Sequence, residues 1–405
     1  MTAQVTNKSL LALHGGTPVR AELLPYGRQS IEEEDIRAVV EVLRSDWLTT
    51  GPKIEEFETA FASRVHARHA VAFSSGTAAL HAAAFAAGLG PGDEAIVPPL
   101  TFCATANCVL YVGATPRFAD VREDTLTLDP KRFQDALTPS TRAVLPVDYA
   151  GHPADLAEIM QIAKQRGIVV IEDACHALGA GYRGKSVGSL ADMTVFSFHP
   201  VKHITTAEGG MVTTGDENFA RKLKIFRSHG IASDPRQRQA NGQWHYDMAE
   251  LGYNYRLSDV NCALGLSQLS RLDSNLSRRR EIARTYCQQL AEVPGIVLPY
   301  VASDANPAWH LFPIRVANRL AGRRAEIFQA LRAENIGVNV HYIPVPMHSY
   351  YRKRFGYVGG EFPVSEAAYD SLISLPMFHG MNDGDVEDVV RAVQKVAAAF
   401  LEDAF

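Results

Sequence analysis

Between residues 70 and 171, short apolar runs alternate with segments of helical periodicity. They are Ala70–Phe73, a helix from Thr77, Ala95–Val97, a helix from Ala104, Arg142–Val147, a helix over Ala154–Arg166, and Ile168–Ile171. A strand that is apolar along its whole length must be covered on both faces, and strands separated by helices pair in parallel. The pattern therefore predicts an α/β domain on a mostly parallel sheet. Before it, Ile31 to Ser45 has acidic residues in its first turn and apolar residues at helical spacing, so a helix is expected there. After it come strand-like runs at Met193–Phe198 and Gly210–Thr214 and a helical pattern at Asn218–Arg227.

The polar stretch Ser228 to His245 is long for a structureless connection and predicts a functional surface loop or arm. Ser258 to Leu290 is expected to form one long connector helix. Beyond Pro294, apolar runs at Trp309–Val316 and Gly337–Val340 and helical patterns at Arg323–Ala333 and Asp385–Phe400 predict a smaller α+β domain. The expected organisation is a leader or arm over 1–30, a large domain over 31–257, and a connector helix with a small C-terminal domain over 258–405.

With 405 residues, of which 46% are hydrophobic, the chain can bury a large core, which excludes disordered and disulfide-scaffold classes. Its 40 basic and 45 acidic residues leave a net charge of -5, which gives nucleic acid or an anionic membrane little to bind. Cys103, Cys108, Cys175, Cys262 and Cys287 are odd in number and lack C-x-x-C spacing, so reduced thiols are expected. The apolar run Leu10 to Leu13 is too short for a signal peptide, and no stretch approaches the ~18 to 20 apolar residues of a membrane span. A soluble, cytoplasmic protein is expected. His199 and His203 are four apart but lie beside Pro200 without the acid of a zinc-protease motif, so no metal site is expected.

Four segments carry candidate chemistry. Gly179-Ala-Gly181-Tyr-Arg-Gly184 matches a dinucleotide fingerprint, but no helix opens after it and it does not directly follow a strand, so a glycine-rich hairpin is expected. Ser74-Ser75-Gly76-Thr77 lies between an apolar strand and an Ala-rich helix. There the free N–H groups of a helix start favour an anion, and a plain cap by Ser75 or Thr77 fits equally well. Ile168-Val-Val-Ile-Glu172-Asp173 puts carboxylates at the carboxyl end of a buried strand, where open α/β sheets bind ligands. Alternation turns Glu172 and Asp173 to opposite faces, so only one can face a site; Asp173 could equally be a structural or capping residue. In Phe196-Ser197-Phe-His-Pro-Val-Lys202-His-Ile-Thr-Thr-Ala-Glu-Gly-Gly210, a partly desolvated lysine could form a Schiff base. An anion cradle, a strand-end carboxylate and a lysine, in that order, are the parts of a pyridoxal phosphate site.

These segments, with Gly252-Tyr-Asn254-Tyr-Arg256-Leu-Ser-Asp259, resemble the DegT/DnrJ/EryC1/StrS family of pyridoxal-phosphate sugar aminotransferases from about Pro25 onward. The resemblance implies fold type I, with a large seven-stranded mostly parallel sheet domain, a smaller C-terminal domain, and a homodimer with shared active sites. It implies Lys202 as the lysine that binds the cofactor aldehyde and moves the reacting proton, and Asp173 as the partner of the pyridine nitrogen. By the same resemblance Phe102 stacks on the ring and His176 lies near the cofactor's hydroxyl. Ser75, Gly76, Thr77 and Ser197 hold the phosphate, Asn254 reaches the phosphate in the neighbouring subunit, and Arg256 lies near the donor carboxylate or the nucleotide. His341 and Tyr342 resemble the HYxP stretch beside the sugar pocket, although the chain continues Val345-Pro346-Met347 where many relatives have a His after the Val.

The implied reaction moves an amino group from L-glutamate to a nucleotide-linked keto-sugar. The HPVK–ITTAEGG form is most similar to members that aminate C4 of UDP-4-keto-6-deoxy-N-acetylhexosamines, including that of pseudaminic acid biosynthesis. Alternatives are members acting on a UDP-4-keto-pentose or a GDP- or dTDP-linked keto-sugar. A non-transaminating binding protein on the same scaffold is a further alternative. Family dehydratases carry His at the lysine position, which Lys202 disfavours.

Overall fold

The computed structural model describes residues 11–233 and 235–402. The first ten residues of the expected leader, Leu10 of its apolar run, and Asp234 of the expected loop lie outside them.

Seven strands form the large sheet: β1 (His69–Phe73), β2 (Glu94–Val97), β3 (Thr115–Phe118), β4 (Thr141–Val144), β5 (Val169–Asp173), β6 (Met193–Ser197) and β7 (Gly210–Thr214). Their order is β1-β7-β6-β5-β4-β2-β3. The pairs β2–β3, β2–β4, β4–β5 and β5–β6 are parallel, whereas β7 runs antiparallel to β1 and β6. Helices cover both faces and β7 is buried along its whole length, the hydroxyls of its Thr213 and Thr214 donating to the carbonyls of Gly188 and Asp192. The parallel strands all deliver their carboxyl ends to one edge of the sheet. That edge therefore carries Ser74–Thr77 after β1, Thr101–Phe102 after β2, Asp173 closing β5, and Lys202 in the β6–β7 connection. This is the α/β architecture the sequence predicts, and Gly181–Tyr182 and Lys185–Ser186 form the expected hairpin. Its turn residues Arg183 and Gly184 have φ of 49° and 74°, the signature of a type I′ turn.

Several local expectations need correction. The connector is two helices, Asp259–Ser270 and Leu272–Leu290, broken at Arg271 (φ -101°, ψ 4°). The break lets Gln268 and Arg271 reach the fully buried Asp35 carboxylate at 2.7 and 2.6 Å, a tertiary demand that leaves no mark on the apolar period. Gly337–Val340 is no strand; isolated bridges flank and join it, Leu24 to Ile336 and Asn339 to Ser374. The small sheet takes Ile296–Val297, Phe312–Val316 and Leu372–Leu375 instead. Strand β3 has a Pro and alternates exposed and buried residues, as an edge strand can. The expected loop at 228–245 contains a short helix, Pro235–Ala240.

Residues 11–26 join the C-terminal unit. Leu11 and Leu24 are buried in one core with residues of the helices Leu272–Leu290, Arg324–Ala333 and Asp383–Glu402. The carboxylate of Glu334, wholly buried, accepts Ala12 N–H and Val19 N–H at 2.9 Å each and pairs with Lys395 Nζ at 2.8 Å. From the connector itself, buried Arg279 donates to the carbonyls of Trp309, His310 and Met377. No helix among the described residues is long and apolar enough to cross a membrane.

Truncating Glu334 strands two backbone donors, at about 1–3 kcal/mol for each group left unsatisfied. Glu334→Ala is therefore expected to lower the urea midpoint and to speed tryptic cleavage at Arg20; an unchanged digestion rate would show that the carboxylate does not hold the segment.

Candidate active site

A cavity of about 550 Å³ opens at the carboxyl edge of the large sheet, between it and the C-terminal unit. Ser75, Gly76, Thr77, Phe102, Asp173, His176, Ser197, Lys202, His341 and Tyr342 all line it. The sequence thus named ten of its residues, although they come from five separate segments.

The cradle follows from local geometry. Ser75 caps the helix Gly76–Ala86, its hydroxyl accepting Ala78 N–H at 3.1 Å. The cap reading is thus correct for the Ser75 hydroxyl, while the N–H groups of Gly76 and Thr77 belong to the first turn, where no intrahelical acceptor exists. A Cβ on Gly76 would stand 3.0 Å from Ser197 Cβ, and one on Gly210 would stand 2.5 Å from the Ser75 carbonyl oxygen. Only glycine at 210 lets β7 pass directly beneath the cradle.

Asp173 is nearly buried. One carboxylate oxygen accepts the Thr105 hydroxyl at 2.7 Å and the other accepts Cys175 N–H at 3.1 Å. Glu172 turns away, taking the Thr194 hydroxyl at 2.7 Å, as strand alternation demands. The Lys202 loop is closed by the threonines of its own motif. Thr205 Oγ1 donates to Phe198 O at 3.0 Å and accepts Ala207 N–H at 3.0 Å, while Thr206 Oγ1 donates to Glu208 O at 2.8 Å. Asn261 Nδ2 ties the loop to the connector through Thr206 O at 2.6 Å. Burial holds the Lys202 ammonium below the ordinary lysine range, partly offset by Cys175 and Asp173.

Across the cavity, Tyr342 OH meets His176 Nε2 at 3.0 Å. His341 Nδ1 meets Ser374 Oγ at 2.9 Å, and its carbonyl accepts Tyr149 OH at 2.5 Å. Burial pushes His176 and His310, whose rings lie 4.4 Å apart, well below the ordinary histidine range and His341 down to about 4. These imidazoles are neutral at pH 7. The Phe102 ring is 56% exposed and faces Tyr342 with centroids 6.0 Å apart, which leaves a face free for a planar ligand.

The structure does not bring Asn254 or Arg256 into the cavity of their own chain. Asn254 is exposed, and Arg256 lines another groove with Arg227, Ser228 and His229. Sequence reasoning missed Thr105, His310 and Tyr26, which also belong to the wall or its support. Thr105 follows Phe102 by three residues, a weak signal for a shared helical turn. Tyr26 is placed by its carbonyl accepting Met377 N–H at 3.0 Å, for which no sequence signal exists. Among the described residues, no group of three His, Cys, Asp or Glu side chains could hold a metal ion.

A sequence profile of the DegT/DnrJ/EryC1/StrS aminotransferase family matches residues 29–394. The chain belongs to this family. The spore coat polysaccharide biosynthesis protein SpsC of Bacillus subtilis strain 168 is 44% identical over 380 residues, spanning 93% of this chain and 98% of SpsC. Helicobacter pylori PseC, an aminotransferase of pseudaminic acid biosynthesis, superposes with a TM-score of 0.87 at 31% identity, covering 93% of this chain and 99% of PseC. Spr1654 of Streptococcus pneumoniae in its PLP-form gives a TM-score of 0.87 at 32% identity, covering 95% of this chain and 100% of that structure. The chain is a pyridoxal-phosphate-dependent sugar aminotransferase of fold type I. The site fits that cofactor: a helix start under a backbone only glycine permits, a carboxylate fixed by two donors, a desolvated amine, and an uncovered aromatic face.

Gly210→Ala should displace the cradle and weaken pyridoxal phosphate binding at least about tenfold, a loss of roughly 1.4 kcal/mol, read by absorbance titration. Wild-type affinity would mean the cradle does not hold the phosphate. Because the neutral amine is the nucleophile and burial disfavours ammonium, aldehyde capture by cofactor-free protein should rise through a pH below the ~10.4 of a free lysine. A capture rate that titrates at or above that value would contradict the desolvated environment.

Proposed function

We propose that the chain transfers the amino group of L-glutamate to C4 of a UDP-4-keto-6-deoxy-N-acetylhexosamine, releasing 2-oxoglutarate. The observation that carries the proposal is the meeting of Lys202, Asp173 and the Ser75–Thr77 cradle in one cavity. The nucleotide-sugar and its regiochemistry rest on the HPVK–ITTAEGG sequence and on the similarity to PseC, whose described role is in pseudaminic acid biosynthesis.

When bound, pyridoxal phosphate supplies an electron sink and carries the amino group between the two half-reactions. Asp173, fixed by Thr105 and Cys175, keeps the pyridine nitrogen protonated. Lys202 Nζ would hold the cofactor aldehyde and, once the donor's amine displaced it, would serve as the free amine that takes up and returns the reacting proton in each half-reaction. A neutral amine is needed for that, and burial favours it. Gly76, Thr77 and Ser197 hold the phosphate, Phe102 covers one ring face, and His176, oriented by Tyr342, serves the cofactor's hydroxyl. His341 and Tyr342 border the sugar.

The working form in this reading is a homodimer, in which Asn254 and Arg256 serve the partner's cavity. Their absence from their own cavity supports it, as does the apolar exposure of Trp244, Met248 and Leu251 nearby in sequence. The five free thiols suit a reducing compartment, and the reaction is assigned to the cytoplasm.

Purified protein loaded with pyridoxal phosphate should show a visible band that bleaches on adding L-glutamate and returns with the proposed keto-sugar, and Lys202→Ala should lose this response. Exclusive turnover of a 3-keto sugar would overturn the C4 assignment. A band that glutamate never bleaches would favour a binding protein or a different donor.

A further inference from the structure

Behind the strand end that presents Asp173 lie two acidic side chains that the proposed chemistry does not use. Asp148 and Glu172 are fully buried, and neither forms an ion pair among the described residues. One oxygen of each is occupied: Asp148 Oδ1 accepts Ala154 N–H at 2.9 Å, and Glu172 Oε2 accepts the Thr194 hydroxyl at 2.7 Å. The remaining oxygens, Asp148 Oδ2 and Glu172 Oε1, have no hydrogen-bond donor, and each side chain lies close enough to the other to be its partner once one of them carries a proton. Ionised carboxylates only accept, so a hydrogen bond between two carboxyl groups requires a proton on one of them. Burial and the neighbouring Glu172 push Asp148 well above the ordinary carboxylate range, and burial also raises Glu172.

The pair is fastened to the catalytic strand end by backbone. Asp148 N–H donates to Asp173 O at 3.1 Å, Asp173 N–H donates to Pro146 O at 2.8 Å, and Val147 bridges Asp173 in parallel. Glu172 is the preceding residue on the same strand. Facing the pair are Thr194 from β6, Ala154 N–H, and the Asp173 carboxylate, whose charge raises both groups; Cys175 and Lys202 lie beyond Asp173.

We infer that Asp148 and Glu172 share one proton and act as positioning residues for Asp173, bracing its backbone from behind and placing one negative charge there. The consequence for the cofactor rests on the proposed pairing of Asp173 with the pyridine nitrogen; the shared proton does not. A single charge behind Asp173 favours the protonated ring without the repulsion that two ionised carboxylates would add. An amide at either position can donate in place of the proton, leaving the pair singly charged, whereas amides at both positions remove the charge.

Two measurements test this. In cofactor-free protein, infrared spectroscopy should show the carbonyl stretch of a protonated carboxyl group that persists well above the ~4 of free Asp and Glu, and Asp148→Asn and Glu172→Gln should each lose it. If those variants do not fold, the wild-type pH titration still decides: a band that vanishes in the ordinary carboxylate range overturns the shared proton. In loaded protein, the pH midpoint of the visible band should stay in place in each single variant and fall by roughly one unit in the double variant, since removing a negative charge disfavours the protonated cofactor. A double variant with the wild-type midpoint would overturn the positioning role. Absence of any visible band would instead count against the cofactor reading and leave the infrared result standing.

Discussion

A carboxylate, Asp173, is buried at the strand end that lines the cavity, and the site is arranged around the cost of burying it. Burying a charge without partners costs far more than one hydrogen bond returns. Asp173 meets the cost with Thr105 from the helix Ala104–Tyr111 and with its own Cys175 N–H, so it depends on two elements of the sheet's carboxyl edge. The same edge supplies the cradle, the lysine loop and Phe102 because β1, β2, β5 and β6 run in one direction. Reversing any of these strands would send its terminal residue to the far side of the sheet.

Much of this was legible because the informative signals are local. Lys202, Asp173, Ser75, Gly76, Thr77 and Ser197 each lie within a few residues of a strand end, and an apolar run closed by a turn marks a strand end. The alternation rule correctly separated Asp173 from Glu172. What escaped depends on distant partners. The break at Arg271 answers a buried carboxylate on another helix, and Leu372–Leu375 is a strand because Phe312–Val316 offers it an edge. Asn254 and Arg256 belong to the family's motif, yet their place relative to the cavity could not be read from one chain's pattern.

Polar ties at the site join the C-terminal segments to the large sheet, beside an apolar core that crosses the same boundary through Leu100, Val121 and Leu126 with Leu311 and Leu372. Among the described residues Arg279 has no carboxylate partner and spends its charge on three backbone carbonyls; burial brings it down to about 10. One guanidinium thereby fixes the segments at 309–310 and 377 relative to the connector, and both border the cavity through His310 and through Met377's bond to Tyr26. Tyr342 reaches His176 and Tyr149 reaches His341 across the same boundary. The cavity therefore lies between the large sheet and the C-terminal segments, with hydrogen bonds crossing from one wall to the other.

The docking of residues 11–26 onto the C-terminal unit also fixes an order of assembly. Ala12 finds its acceptor 322 residues later, at Glu334, which is itself paired with Lys395. During synthesis the first described residues must wait for nearly the whole chain to emerge, while the sheet from β1 to β7 can form well before. Tyr26 is thus a late arrival, and the cofactor edge of the sheet lacks that part of its wall in the nascent protein until Met377, which holds the Tyr26 backbone, is in place.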